Sequence, residues 1–160
     1  MRVALDNTAV NHNILIIDDD VNLREVFTEA SMHWPYKTVV VRSGAEALDR
    51  LKTSRFDIVV CDLMMPGMDG MTLLKKVKEL DSGVLVIIMT AYATIETAVK
   101  AIEAGAYDFI AKPFRLDEFM ILIKNACDRR TLETKNRDLT DELKRAKDEL
   151  KVLKKHKDVS

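Results

Sequence analysis

One apolar run ends abruptly at an acidic residue, and this junction constrains the fold more than any other feature. Four consecutive apolar residues at 58–61 are typical of a strand buried on both faces of a parallel sheet. The run stops at Asp62, and Pro66 and Gly67 then break the backbone into a loop. In open α/β sheets, ligands collect at the carboxyl ends of such strands. Taken alone, Asp62 could be a helix cap, a metal ligand or an acceptor for a transferred group.

The composition indicates a folded chain with no strong electrostatic preference. The 160 residues are 48% hydrophobic and 32% charged, enough for one domain with an extension. The net charge of −1 gives no general attraction to nucleic acid or membrane, and no apolar run could span a bilayer. Two cysteines, Cys61 and Cys127, predict no disulfide framework. Residues 1–12 lack a signal-peptide pattern and are predicted to be a loose leader, and we expect a cytoplasmic location.

Strand-like and helix-like segments alternate along residues 13–127. Apolar or β-branched runs predict strands at residues 14–17, 38–41, 58–61, 84–89 and 109–111. Apolar residues at helical spacing predict a helix after each strand, and the last helix opens near Leu116. Asp20 is predicted to cap the first helix, and Ser43 and Glu46 are predicted to form a capping box at the second. The alternation predicts an α/β fold in which a five-stranded parallel, doubly wound sheet is covered by five helices.

Polar residues follow four of these strands at the points where the strands end. They are Asp18 and Asp19, Asp62, Thr90 and Lys112. Parallel strands place these side chains at one edge of the sheet, and clustered carboxylates favour a hard cation such as Mg²⁺. Lys112 and Thr90 could hold phosphoryl oxygens, and carboxylates can accept phosphoryl groups. The set is consistent with phosphoryl transfer onto one aspartate, although each residue alone would more often be a cap, turn or surface residue.

Four motifs, in this order, resemble the receiver domain of bacterial two-component response regulators. They are Ile-Leu-Ile-Ile-Asp-Asp-Asp at 14–20, Asp-Leu-Met-Met-Pro-Gly-Met-Asp-Gly at 62–70, Met-Thr-Ala at 89–91 and Gly-Ala-Tyr-Asp-Phe-Ile-Ala-Lys-Pro-Phe at 105–114. The resemblance covers residues 13–127 and implies a flavodoxin-like receiver with strand order 2-1-3-4-5. It also implies a protein that accepts a phosphoryl group from a sensor histidine kinase, not an enzyme with independent turnover.

The resemblance also assigns roles to the acidic residues. Asp62 matches the phosphorylated aspartate of the family. Asp18 and Asp19 match the acidic pair that binds Mg²⁺, and the backbone carbonyl of Met64 matches a further metal ligand. The Met64 side chain is apolar and lies two residues after Asp62, so we expect it to affect how water or a phosphatase reaches a phosphoryl group there.

Three further residues match the switch machinery of the family. Thr90 and Lys112 match the pair that grips the phosphoryl oxygens, and Phe109 matches the aromatic switch residue. The family often has tyrosine at the switch position, so Phe109 departs from that pattern by lacking a hydroxyl group. The bond between Lys112 and Pro113 matches a peptide bond that is cis in the family. Cis bonds before proline are uncommon in folded proteins in general, so this feature can be tested.

A heptad pattern follows the receiver-like region. Steps of four and three connect the residues of this seam, which are Leu132, Asn136, Leu139, Leu143, Ala146, Leu150 and Leu153. The pattern predicts that residues 128–160 are a linker helix forming a parallel two-stranded coiled coil. Glu142–Lys147 and Glu149–Lys154 would then be opposite-charge pairs between chains. The alternative is a solvated helix whose leucines fold back on the receiver. We expect a homodimer, held by this seam and by the receiver face around the fourth helix and fifth strand.

The output of the receiver is a separate question. Residues 91–109 resemble enhancer-binding, AAA+ type transcriptional activators, so we expect this chain to be part of a longer regulator of transcription. The sequence has no Gly-x-x-x-x-Gly-Lys-Ser/Thr loop, so we expect no nucleotide hydrolysis by that route. It also has no recognition helix with clustered basic residues, so we expect no direct nucleic-acid binding. One alternative is a metal-dependent phosphatase of similar fold, which would need an aspartate at the position of Met64. Another is a non-phosphorylated interaction module.

Overall fold

A computed structural model describes residues 11–157, in which five strands alternate with five helices. The strands are β1 (Asn13–Ile17), β2 (Lys37–Val41), β3 (Ile58–Asp62), β4 (Leu85–Thr90) and β5 (Asp108–Ala111). The helices are α1 (Val21–Ser31), α2 (Gly44–Thr53), α3 (Gly70–Leu80), α4 (Ile95–Glu103) and α5 (Leu116–Lys157). Within the described residues, no helix combines the length and apolar character that a bilayer span requires.

The strands form one parallel sheet in the order β2-β1-β3-β4-β5, which confirms the predicted fold class. β3 is the central strand, and all five of its residues are buried, as its continuous apolar run predicts. The register pairs Ile17 with Cys61 and Asp62 with Met89, so β1 ends one residue before β3 does. Residues that follow β1 therefore lie beside Asp62 at the carboxyl edge of the sheet.

Each face of the sheet carries its own apolar layer. One layer joins Val59 and Cys61 of β3 to residues of α2, α3 and α4. The other joins Ile58 and Val60 to residues of α1 and α5, where the rings of Phe27 and Phe119 lie 4.9 Å apart between centroids. The alternation along β3 follows from the two-residue period of a strand, and both layers are needed because both faces are apolar.

The helix start at Ser43 differs in part from its prediction. The Ser43 hydroxyl accepts a hydrogen bond from the backbone N–H of Glu46, as expected. The Glu46 carboxylate, however, accepts from the N–H of Arg42 and not from that of Ser43, so the box is not reciprocal. A reciprocal capping box occurs instead at α4, between Thr94 and Thr97. Threonine satisfies the same orphan amide groups there without a glutamate.

The predictions for the leader and for the last helix can be compared with the structure only in part. Residues 1–10 of the predicted leader lie outside the described residues, but His12 is only 8% exposed and packs on the domain, so it is not loose. α5 is a single helix of 42 residues, about 60 Å long, and it confirms the prediction of an extended last helix. Its seam leucines are exposed, 64% in the case of Leu139, so they do not fold back on the receiver.

Candidate functional site

The polar residues predicted to converge do meet at the carboxyl edge of the sheet. Carboxylate oxygens of Asp18, Asp19 and Asp62 all lie within 4.8 Å of one another. The ammonium group of Lys112 reaches into the cluster from the end of β5. The site is therefore built from residues at the ends of three strands, which the parallel topology brings together.

Asp62 ends the central strand and is held in one orientation. Its Oδ1 atom accepts a hydrogen bond from the backbone N–H of Met64 at 3.0 Å, which fixes the turn after β3. Its Oδ2 atom lies 2.5 Å from Lys112 Nζ, a short charge-assisted contact. The residue is 7% exposed, so the carboxylate is mostly shielded yet still open at the mouth of the site.

Asp18 is the deepest acid of the cluster and is fully buried. Its Oδ2 atom lies 2.7 Å from Lys112 Nζ, and its Oδ1 atom accepts from the backbone N–H of Asp20 at 2.9 Å. Burial raises the pKa of Asp18 above its ordinary value, and the hydrogen bond from Lys112 opposes that rise without cancelling it. The fold thus holds this carboxylate where its negative charge is poorly solvated.

Lys112 is the positive counterpart of the two acids. Burial alone would lower its pKa, but the hydrogen bonds to Asp18 and Asp62 outweigh that effect and raise the pKa above its ordinary value. The ammonium group is therefore charged throughout the physiological range and bridges two carboxylates from different strands.

The mouth of the site is formed by two more exposed residues. Asp19 is exposed, and Met64 is 58% exposed. The Met64 side chain offers no acidic group to the site, and its backbone N–H is already used by Asp62. Its carbonyl oxygen remains the atom through which Met64 could contribute to a metal site.

The residues predicted to form the switch lie on β4 and β5. Thr90 is fully buried, and its hydroxyl oxygen accepts from the backbone N–H of Tyr92 at 3.1 Å. Phe109 is half-buried and packs against the apolar layer that contains Ala101 of α4. The peptide bond between Lys112 and Pro113 is cis.

Two supporting residues were not anticipated from the sequence. The Arg24 side chain donates from Nη1 to the backbone carbonyl of Asp18 at 3.0 Å and so holds the loop after β1. Gly70 packs so tightly that a Cβ atom there would overlap the carbonyl of Asp62 and the Cα atom of Leu63. The Asp-Gly pair at 69–70 is a turn signal that could have identified Gly70. Nothing in the sequence distinguishes Arg24 from any other arginine on a helix.

The donor set fits a hard divalent cation. Carboxylate and carbonyl oxygens are the ligands that Mg²⁺ prefers, and it commonly uses one or two carboxylates while keeping several waters. Asp18, Asp19 and Asp62 supply carboxylates within 4.8 Å, and the cluster contains no sulfur or imidazole ligand. The set does not resemble a structural zinc site, which would use cysteine or histidine.

Comparisons with known proteins agree with this geometry. The response regulator receiver domain family matches residues 14–124. Over 116 residues the chain is 37% identical to the transcriptional regulatory protein ZraR of Escherichia coli K12, covering 72% of this chain and 26% of ZraR. Over 132 residues it is 37% identical to the regulatory protein AtoC of the same organism, covering 82% of this chain and 28% of AtoC.

A solved structure shows the same fold. A CheY-like response regulator receiver domain from Methanospirillum hungatei superposes with a TM-score of 0.73 at 28% identity, covering 77% of this chain and 98% of that chain. The present chain belongs to the response regulator receiver domain family. It spans about a quarter of the length of the curated regulators that it matches.

Proposed function

We propose that this receiver accepts a phosphoryl group on Asp62 in the presence of Mg²⁺. The observation that carries the proposal is the position of the Asp62 carboxylate, which ends the central strand between Lys112 and the acids that follow β1. A carboxylate is a suitable nucleophile toward phosphorus when nearby cations neutralise the charge of the phosphoryl oxygens. Among the residues in the cluster, Asp62 alone combines a strand-end position with an open face.

The surrounding residues have distinct parts in this proposal. Asp18, Asp19, Asp62 and the Met64 carbonyl would hold Mg²⁺, which neutralises negative charge when bound. Lys112 would move its hydrogen bonds from carboxylate to phosphoryl oxygen, and Thr90 would donate its hydroxyl hydrogen to another oxygen. Phe109 would turn inward as Thr90 moves toward the phosphoryl group. The burial and charge of the residues support these roles.

The phosphoryl donor in this proposal is a phosphohistidine of a sensor kinase. Its P–N bond breaks while the bond between phosphorus and an Asp62 carboxylate oxygen forms, and the imidazole leaves with a proton from water. Kinship with two-component regulators supports this partner. An independent phosphatase activity is disfavoured, because Met64 stands where such an enzyme needs a general acid.

The proposed output is control of transcription through the long helix. The exposed seam leucines of α5 would pair two chains in a parallel coiled coil, with Asn136 at an a position. Phosphorylation would then change the arrangement of two receivers, with contacts around α4 and β5, and so act on an output domain in the cytoplasm. Similarity to ZraR and AtoC, regulators whose matched region is about a quarter of their length, supports this kind of output.

Mass spectrometry tests whether Asp62 accepts the phosphoryl group. Wild-type protein treated with a small phosphodonor and Mg²⁺ should gain one phosphoryl group, and Asp62→Asn should gain none. Asp57→Asn is the matched control, because Asp57 directly precedes β3 at the end opposite Asp62, and it should be modified like the wild type. An equal adduct on Asp62→Asn would overturn the assignment.

A further inference from the structure

The amino edge of the sheet, opposite the phosphorylation site, holds an unusual set of polar contacts to α5. The buried stripe of α5 runs through Phe119, Ile123 and Cys127. One turn after Ala126 the same face presents Arg130, whose side chain is only 15% exposed. An arginine in that position needs fixed partners, because a long charged side chain otherwise stays in water.

Asp57 provides the first partner. Its Oδ1 atom lies 3.5 Å from Arg130 Nε, as an ion pair, and its Oδ2 atom accepts from the backbone N–H of Asn13 at 2.9 Å. The backbone of Asp57 also bonds to the starts of β1 and β4, through Asn13 and Leu85. The carboxylate that faces Arg130 is therefore fixed by three strands of the sheet.

Gly83 provides the space in which the guanidinium group of Arg130 lies. A Cβ atom there would overlap Arg130 Nη1 and stand 3.2 Å from Cζ and 3.3 Å from Nη2, so the guanidinium group fills the space of the missing side chain. Gly83 is not one of the glycines with positive φ, so its requirement is steric and not conformational. A Cβ atom at residue 83 therefore requires the guanidinium group, the end of a flexible side chain, to shift from this position.

The loop around Gly83 is itself braced. Lys78 Nζ donates to the carbonyl of Ser82 at 3.0 Å and to that of Val84 at 2.8 Å. The backbone N–H of Gly83 donates to Asp81 Oδ1 at 2.9 Å. These hydrogen bonds hold the loop in one conformation beside Arg130.

The next residue of α5 is held on the other side. Thr131 Oγ1 lies 2.9 Å from His12 Nε2, and its hydroxyl donates to the carbonyl of Cys127 within the helix. His12 is buried, its carbonyl accepts from the N–H of Lys37, and its ring packs edge-on against Tyr36. Successive helix residues point about 100° apart, so Arg130 reaches residues that precede β3 and β4, whereas Thr131 reaches the residue that precedes β1.

We propose that these contacts form an exit clamp, which fixes the direction in which α5 leaves the receiver. The residues of the exit clamp are His12, Asp57, Gly83, Arg130 and Thr131. Its role in signalling depends on the proposed function, in which α5 carries a change in the receivers to an output; the clamp itself does not. While these contacts are intact, the receiver and the seam of α5 rotate together as one rigid body.

Spin-label distance measurements test the clamp. Cysteines replacing Lys75 on α3 and Lys144 on α5 carry the labels, because both positions are exposed. Labelled chains are diluted with unlabelled chains, so that distances within one chain dominate whether or not the protein pairs. A swing of about 15° at Arg130 would displace residue 144, roughly 20 Å further along the helix, by about 5 Å.

The expected results separate the clamp from general stability. The wild type should give one narrow distance distribution, and Arg130→Ala and Gly83→Ala should broaden or shift it by about 5 Å. Arg129→Ala is the matched control, since Arg129 pairs with Glu133 on the exposed side of α5, and it should leave the distribution unchanged. Circular dichroism and the Asp62 adduct should be unchanged in all three variants, because the clamp lies at the opposite sheet edge.

A second pair of variants addresses the His12 side. Thr131→Val keeps the shape of the side chain but removes its hydrogen bond to His12, and Thr140→Val removes only a bond to a carbonyl within the exposed helix. Thr131→Val should broaden the distribution and Thr140→Val should not. Unchanged distributions in Arg130→Ala, Gly83→Ala and Thr131→Val would overturn the clamp. A monomeric wild type with a narrow distribution would instead contradict only the proposed pairing of chains.

Discussion

The backbone N–H of Lys112 donates to the carbonyl of Thr90 at 2.8 Å, so the two proposed phosphoryl-gripping residues are joined through the sheet. Thr90 ends β4, and Lys112 follows the last residue of β5. A displacement of Thr90 toward a phosphoryl group would therefore pull on the end of β5 at Lys112, and through the strand on Phe109 near its start. This link gives a physical route from the site to the surface around α4 and β5.

Removing the charge of Lys112 should destabilise the protein in the absence of Mg²⁺. In Lys112→Gln the carboxylates of Asp18 and Asp62 lose their shared counter-charge, which should cost about 1–3 kcal/mol in the free energy of unfolding. Urea denaturation at pH 7 measures the loss, and Mg²⁺ should restore much of it. Lys100→Gln is the control, because Lys100 lies in an exposed pair with Glu96. Equal losses in the two variants would contradict the bridging role of Lys112.

The pH dependence of this cluster follows from the raised pKa of Asp18. A carboxyl group whose folded pKa lies above its unfolded value contributes most to stability below the unfolded pKa. That contribution is lost as the pH rises through the raised folded pKa, because burial opposes the charged form. Asp18→Asn removes this loss, so its free energy of unfolding relative to wild type should increase as the pH is raised from 3 to 7. Urea titrations without metal measure this difference in the free energy of unfolding. A difference that decreases from pH 3 to pH 7 would contradict a raised pKa for Asp18.

Mg²⁺ should stabilise the wild type through the same acids. A ligand at 100 times its dissociation constant adds about 2.7 kcal/mol to the free energy of unfolding. The melting temperature should rise with Mg²⁺ in the wild type and in Asp49→Ala, whose acid is exposed on α2. Asp19→Ala should lose the response, since it removes one of three clustered carboxylates. If Mg²⁺ stabilises Asp19→Ala as much as the wild type, the ion binds elsewhere.

The two native thiols should resist labelling while the protein is folded. Burial raises the pKa of Cys61 and of Cys127 to about 12, so at pH 8 only about one thiol in ten thousand is ionised. A maleimide should modify neither cysteine at pH 8 in the native protein and both in urea. A cysteine introduced at Lys144 should react rapidly under the same conditions, because that position is exposed and lies outside the seam. Rapid labelling of Cys61 in the native protein would show that its layer of the core opens frequently.

The sequence predicts the fold and the cluster of polar residues at the strand ends well because both depend on short, regular signals. Apolar runs identify the strands, and parallel strands necessarily gather Asp18, Asp62 and Lys112 at one edge. The Asp20 cap is confirmed, since its side chain accepts from the first turn of α1. Each of these features lies within a few residues of the pattern that predicts it.

The exit clamp could not be predicted in the same way. His12 and Thr131 are 119 residues apart in the chain, and no periodic pattern connects them. Arg130 stands on a strongly charged helix, where an arginine ordinarily indicates a solvated face. Its burial depends on the absence of a side chain at Gly83, which is a tertiary relationship and has no local signature.

The last prediction concerns the seam of α5. We expect the whole chain to form a dimer before phosphorylation, because exposed seam leucines recur at steps of four and three along a continuous helix. Three heptads are marginal in isolation, so contacts between receivers should contribute as well. Sedimentation equilibrium should therefore give a dimer for the whole chain at tens of micromolar, which corresponds to a free energy of association of roughly −7 kcal/mol. A chain ending at Arg130 should be a monomer.

Two variants decide whether the seam itself is responsible. Leu143→Ser removes a leucine from an a position and should weaken the dimer at least about tenfold, since a lost leucine contact costs more than 1.4 kcal/mol. Lys144→Ser introduces the same residue one position later, outside the seam, and should leave the dimer intact. A disulfide between chains in Leu139→Cys would support the parallel register, because only that register places the two d positions opposite each other. A monomeric whole chain, or equal weakening by the two serine variants, would exclude the seam as the basis of pairing.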